Sequence, residues 1–324
     1  MARQTRRGLA LAAVAFIAVT GIGIGTAQAE FPEKPIKVVV PTQAGGGMDS
    51  TARILQRYFD ENEELGVKFA VVNMPGAGGT IGTRTIKDAD PDGYTIGFWH
   101  EGIITSNAMG VVDYNHEDFE VLGSTGFGIL GFGVGENSEI DSFEQLLETA
   151  RANPDQVKNA ANVGLPVHFV PLMVADEADV EFRYVQVGGG AKRFPSVVAG
   201  HTDFAIFGLI EFVKWKDAEL RPVVLFAEER SPLLPDVPTA KEHGLDIVVG
   251  SSRIWLAPKG TPPEVTAKLV EAMQSAMEDP GVQQQFADLG LEPVYISPEK
   301  VVADLDWWRS KAEPLVAKAR ELQQ

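Results

Sequence analysis

The stretch Val38-Val39-Val40-Pro41-Thr42-Gln43-Ala44-Gly45-Gly46-Gly47-Met48-Asp49-Ser50-Thr51-Ala52 decides the fold, because it reads as a buried strand running through glycines into a helix. Pro41 has no N–H for a ladder and closes the strand, while Gly45, Gly46 and Gly47 permit backbone angles that side chains forbid. Asp49 or Ser50 is the expected N-cap of a helix carrying Ile54, Leu55 and Tyr58 on one side. Unpaired N–H groups at such a start, with the positive end of the dipole behind them, suit a carboxylate or a phosphate.

A second copy of this device follows. Residues 69–72 form a short apolar strand, and Asn73-Met74-Pro75-Gly76-Ala77-Gly78-Gly79-Thr80 leads into a helix expected to begin near Ile81. Two glycine turns after two strands of one sheet bring two helix N-termini to the same edge, where open α/β sheets bind ligands. The plainer alternative is that the glycines only make tight strand-to-helix turns.

Outward from these turns, strands over 36–40, 69–72 and 94–99 alternate with helices over 51–62 and 81–89, a pattern of parallel right-handed βαβ units. Asp90-Pro91-Asp92-Gly93 is the turn before the third strand. Strands are expected over 119–122 and 128–134, and the glycine-punctuated passage from Gly123 to Gly135 is the expected crossing to a second lobe. There a helix over 143–152, a loop over 159–166, a helix over 167–177 and strands over 181–186, 204–207 and 222–226 make a second α/β set. A proline-rich return segment over 230–239 precedes C-terminal helices opened by Pro262-Pro263 and Ser297-Pro298. The expected division is a signal peptide over 1–29, a first lobe over 30–126 completed by 229–324, and a second lobe over 127–228.

Arg3, Arg6 and Arg7, then an apolar run ending in Ala27-Gln28-Ala29, have the form of a secretory signal cleaved after Ala29. Its removal takes three arginines and no acid, moving the formal charge from −17 to −20. Such a balance excludes a broad basic face for nucleic acid and adhesion to anionic lipid. Without cysteine there is neither a disulfide nor a lipid-modified cysteine anchor. An anionic ligand would have to be drawn by local backbone dipoles against the overall field.

The order Phe31-Pro32-Glu33-Lys34-Pro35-Ile36, the Pro41 to Asp49 loop, Asn73 to Gly79, Asp90 to Tyr94, Arg230 to Thr239 and Ala257-Pro258-Lys259-Gly260-Thr261-Pro262 resembles the Bug family over nearly the whole mature chain. These are periplasmic receptors of tripartite tricarboxylate transporters. The resemblance implies an α/β, type II periplasmic binding protein, two α/β lobes with a ligand cleft between them, that delivers a small organic carboxylate to a two-subunit membrane permease. It assigns the carboxylate to the backbone of Gly45, Gly46, Gly47, Met48, Asp49, Ala77, Gly78, Gly79 and Thr80. From the second lobe it brings Asn162, His168, Gly188 and Gly189. Gln186-Val187-Gly188, Gly208, Met48 and Met74 stand where family members often carry more polar groups, so the expected ligand is a mono- or dicarboxylate whose far end is less polar than citrate, with an apolar or aromatic body.

Other chemistry finds little support. Gly76 to Gly82 departs from the dinucleotide fingerprint at Ile81, there is no Walker lysine, and Gly123-Ser124-Thr125-Gly126 lacks hydrolase-elbow spacing. His100-Glu101 and His116-Glu117 lack the i, i+4 histidines of a zinc helix and read as surface or loop residues. No cofactor, metal or catalytic residue is expected. A secreted enzyme acting on a small carboxylate, or a sensor feeding a signalling partner, is the alternative.

Overall fold

The computed structural model describes residues 31–162, 164–187, 190–215 and 219–321. The expected signal peptide and two expected ligand residues, Gly188 and Gly189, lie outside the described residues. The elements that follow belong to the unit from Pro32 onward.

The alternation read in the sequence is present as β1 (Ile36–Val40), α1 (Gly47–Asn62), β2 (Phe69–Asn73), α2 (Thr80–Lys87), β3 (Thr95–Trp99) and α3 (Gly102–Ala108). β1 pairs in parallel with both β2 and β3. Its Ile-Lys-Val-Val-Val is almost wholly buried, as a strand covered by helices on both faces must be.

β4 (Phe119–Gly135) is one strand of 17 residues where the glycines suggested two. Gly123 and Gly126 take positive φ at the two register shifts against the neighbouring strand, so the chain bends there without leaving the ladder. The second half follows as α4 (Phe143–Ala152), β5 (Lys158–Ala161), α5 (Pro166–Glu177), β6 (Arg183–Gln186), α6 (Gly190–Val198), β7 (Phe204–Gly208), α7 (Leu209–Lys214) and β8 (Leu220–Leu225). β5 occupies part of the segment expected as a loop. Its Asn159-Ala160-Ala161 is fully buried between β6 and β7, a placement that pairing dictates and side-chain propensity does not.

The chain then returns through β9 (Gly250–Pro258), α8 (Pro263–Glu278), α9 (Pro280–Asp288), β10 (Glu292–Ile296), α10 (Pro298–Ala312) and α11 (Val316–Glu321). β9, β10, α3 and α7 were absent from the expectation. The sheet runs β2-β1-β3-β9-β4-β7-β5-β6, with β8 and β10 also on β4. The first part of β4 pairs with β9 and β10, and the rest with β7 and β8, so one strand belongs to both halves.

Each half has an aromatic centre. In the first, Trp255 on β9 is fully buried against Phe98 at 4.7 Å between ring centres, and its Nε1–H donates to Thr125 Oγ1 at 2.8 Å. In the second, Phe132 on β4 lies 4.8 Å from both Phe204 and Phe226. Truncating Trp255→Ala removes a large packed ring and orphans a buried hydroxyl partner. It should cost about 3–5 kcal/mol of unfolding free energy in urea titration; a loss under about 1 kcal/mol would show that β9 is not a central element.

Candidate functional site

Both glycine turns lie where the sequence placed them, at the carboxyl ends of β1 and β2. α1 begins at Gly47, four residues earlier than expected, and its N-cap is Gly46 rather than Asp49 or Ser50. The reason is the direction of the Asp49 carboxylate. It accepts from Gly45 N–H at 2.8 Å, Arg53 Nε at 3.1 Å and Asn73 Nδ2 at 2.9 Å. Asp49 is only 3% exposed. Burial opposes its charge, but the bonds from Arg53, Gly45 and Asn73 outweigh that and hold its pKa below the usual carboxylate value.

This brace leaves α1 without a side-chain cap. Gly47, Met48 and Asp49 occupy the first helical positions, whose N–H groups have no intrahelical acceptor. Gly45, Gly46 and Gly47 are exposed, and Met48 is buried. Gly45, with φ +83°, makes the reversal that a side chain would strain.

In the second turn a short 3-10 segment, Ala77–Gly79, precedes α2. Gly79 N–H donates to the Gly76 carbonyl at 2.9 Å, and Thr80 closes on Ala77 through both its N–H and its hydroxyl. Pro75 to Gly78 are exposed and Gly79 is buried, which leaves the Ala77 and Gly78 amides at the tip. The two turns support each other: Met74 N–H donates to the Val40 carbonyl at 2.9 Å, and Asn73 bonds both Asp49 and the Thr42 carbonyl. A side chain on Gly79 (φ +93°) would run into the Trp99 indole.

The second half reaches this tip through the turn before α5. A Cβ on Gly78 would lie 3.6 Å from Leu165 Cδ2. Asn162 is half-buried, its carbonyl accepts from Leu165 N–H at 3.2 Å, and its Oδ1 accepts from Gln186 at 3.2 Å. His168, in the first turn of α5, is fully buried, and its Nδ1 accepts from Gly164 N–H at 3.2 Å. That bond puts the proton of the neutral imidazole on Nε2, which has no partner, 5.1 Å by ring centres from Tyr184, whose hydroxyl is also unpartnered. Burial lowers the His168 pKa to about 4.

At the carboxyl end of β3 the structure groups His100 and Glu101, expected as surface or loop residues, with Arg253, which no motif marks; Glu101 is buried there. At the end of β3, His100 stacks on Trp99 at 4.0 Å between ring centres. Burial, with Arg253 nearby, lowers its pKa to about 3. Glu101 is buried, accepts from Ser252 N–H at 3.0 Å, and is pushed up by that burial. Arg253 on β9 is buried beside them. His116 also proves buried, at 2% exposure, where a surface or loop position was expected. Among the described residues His116, Glu117 and Asp306 are the one group with metal-ligand spacing, but Arg309 pairs with both carboxylates at 3.2 and 2.6 Å and supplies the positive charge.

A sheet of this order, with glycine turns of one half opposed to a turn of the other, is the fold of the periplasmic binding proteins. A crystal structure described as a TctC solute-binding protein from Polaromonas superposes with a TM-score of 0.77 at 25% identity, covering 89% of this chain and 99% of that one. MatC from Rhodopseudomonas palustris, solved with bound malate, gives a TM-score of 0.74 at 26% identity over 88% of this chain and 100% of its own. The protein BugT of Bordetella pertussis is 27% identical over 294 residues, 88% of this chain and 89% of the relative. The profile described as tripartite tricarboxylate transporter family receptor matches residues 52–315, and the chain belongs to that family of solute-binding receptors.

The buried histidine carries a pH consequence. His168 titrates near 6.5 when unfolded and near 4 when folded, so its contribution is complete above pH 6.5 and is lost as pH falls from there to 4. The loss amounts to about 3 kcal/mol. Melting curves between pH 7 and pH 4.5 should show stability falling with acid, and His168→Gln should flatten that slope, leaving the share due to His100 and His116. An unchanged slope would mean that His168 is not held neutral.

Proposed function

We propose that the protein captures a small organic carboxylate between the two halves of its sheet in the periplasm, after loss of residues 1–29, and presents it to a two-subunit membrane permease. The observation that carries this reading is the uncapped start of α1, where no side chain caps the first amides, Gly47 to Asp49, at the same sheet edge as the Ala77–Gly79 turn. Aligned amides at a helix start attract an anion, and here they do so in a molecule of strongly negative formal charge. The relative MatC, described with bound malate, supports a carboxylate.

In this reading residues 30–126 and 229–324 form one lobe, 127–228 the other, and the ligand ties them by touching both. A ligand shifts the population toward the closed state only by differential contact. Asn162 and His168, with Gly188 and Gly189, are the second lobe's contributions. The far part of the ligand meets Met48, Met74 and Leu165, which favours an apolar spacer over the hydroxyl-rich body of citrate. Binding involves no chemical step, and the compound is released unaltered.

Calorimetric titration with straight-chain and aromatic carboxylates should give one-to-one binding, a change in tryptophan fluorescence because Trp99 walls Gly79, and full recovery of the ligand by chromatography. Gly79→Val, which must displace either the turn or Trp99, should weaken binding at least about tenfold. Turnover of the compound, or unaltered affinity in that variant, would refute the reading.

A further inference from the structure

The least explained charge in the described residues is the guanidinium of Arg253. Its place in the sheet is fixed by register. Ile254 pairs with Trp99, the last residue of β3, and with Ser124 of β4. Arg253 therefore stands one residue beyond the carboxyl end of β3. From there Ser252, Ser251 and Gly250 pair with Phe127, Gly128 and Ile129, just before β4 passes to β7. By register this is the carboxyl-end edge of the first half's parallel strands, the edge at which open sheets receive ligands.

The side chain is 8% exposed. Its Nη1 donates to the carbonyl and hydroxyl of Ser251 at 2.8 and 2.9 Å, both neutral acceptors from its own strand, and its Nε has no partner. Glu101 is near enough to favour the charge, but its carboxylate is turned to Ser252 N–H, and among the described residues no acid forms an ion pair with Arg253. Burial lowers the Arg253 pKa only to about 10, so it stays charged at neutral pH. A buried guanidinium with unused donors is costly, and holding Ser251 in place does not require one.

Strand alternation puts Arg253 on the same face as Trp255, which packs on Phe98; the next residue of β3 on that face is His100. His100 feels the Arg253 charge and stacks on Trp99, which in turn walls Gly79. The cation therefore lies within electrostatic reach of His100, the ring stacked on the indole that walls the second glycine turn. A fork of N–H donors balanced by a distant acid but bonded to none is suited to a second planar anion.

We propose that Arg253 anchors a second carboxylate of the ligand, whose first carboxylate lies on the glycine turns, so that this receptor selects diacids with an apolar spacer. The inference rests on the carboxylate reading above and adds to it the far end of the ligand.

Adipate, succinate and terephthalate, each compared with its monomethyl ester, separate the two acids. Calorimetry with the mature wild-type chain, R253Q, R253K and the doubly neutralised E101Q/R253Q is the test. Wild type should prefer at least one diacid over its ester by about tenfold or more. R253Q should bind diacid and ester alike while its affinity for the ester stays within about threefold of wild type. The double variant should behave as R253Q does, showing that an uncompensated Glu101 is not the cause, and it serves in place of R253Q if the single variant does not fold; R253K should keep part of the preference. A tenfold preference that survives in R253Q or in the double variant, or its absence in wild type, overturns the role of Arg253 and leaves the amide site standing. Failure of wild type to bind any of the six compounds overturns the carboxylate reading itself.

Discussion

One strand held by two sets of partners is the constraint on which the architecture depends. β4 hydrogen-bonds to β9 and β10 over its first part and to β7 and β8 over the rest, so both halves are continuous with a single run of backbone. Its glycines serve two needs. Gly123 and Gly126 absorb the bends with positive φ, while a side chain at Gly131 would collide with the Val224 carbonyl and one at Gly133 with Phe212. Because parallel strands of each half end at this crossing, the turns that follow them face one another across it.

The second constraint is the burial of Asp49. A carboxylate at a helix start usually caps its own helix and consumes the amides there. Here it is drawn to Gly45, Arg53 and Asn73 instead, which ties the first turn to the end of β2 and leaves the following amides unspent. The negative charge of Asp49 is offset by Arg53, so the turn can present amide dipoles to an anion without a local carboxylate repelling it. In the proposed reading the overall negative charge opposes anions in general, and these donors supply the local attraction that offsets it.

Much of this was readable before the structure. The alternation of apolar runs and helical periodicity located β1, β2, β3, α1 and α2, since those segments obey local rules of pattern and turn chemistry. The glycine turns were legible for the same reason. β4 was read as two strands because Gly123 and Gly126 look like breaks, and only pairing on both sides keeps them in the ladder. β9 was missed because its Ser251-Ser252-Arg253 start is polar, and its burial comes from neighbours more than a hundred residues away in the chain. Asp49 was read as a cap because a cap is the local optimum, whereas Asn73 and Arg53 make a better tertiary one. Arg253 belongs to no motif. A single arginine becomes informative only when its burial and its missing acid are seen together.

The central claim is that an acid group rests on backbone amides at the start of α1 and in the 3-10 turn that precedes α2. A crystal structure of the protein with its tightest-binding carboxylate tests it most directly. The account requires carboxylate oxygens within about 3 Å of N–H groups among Gly47–Asp49 and Ala77–Gly78. A ligand whose acid groups all lie away from both turns, or are held by lysine and arginine alone, would contradict it.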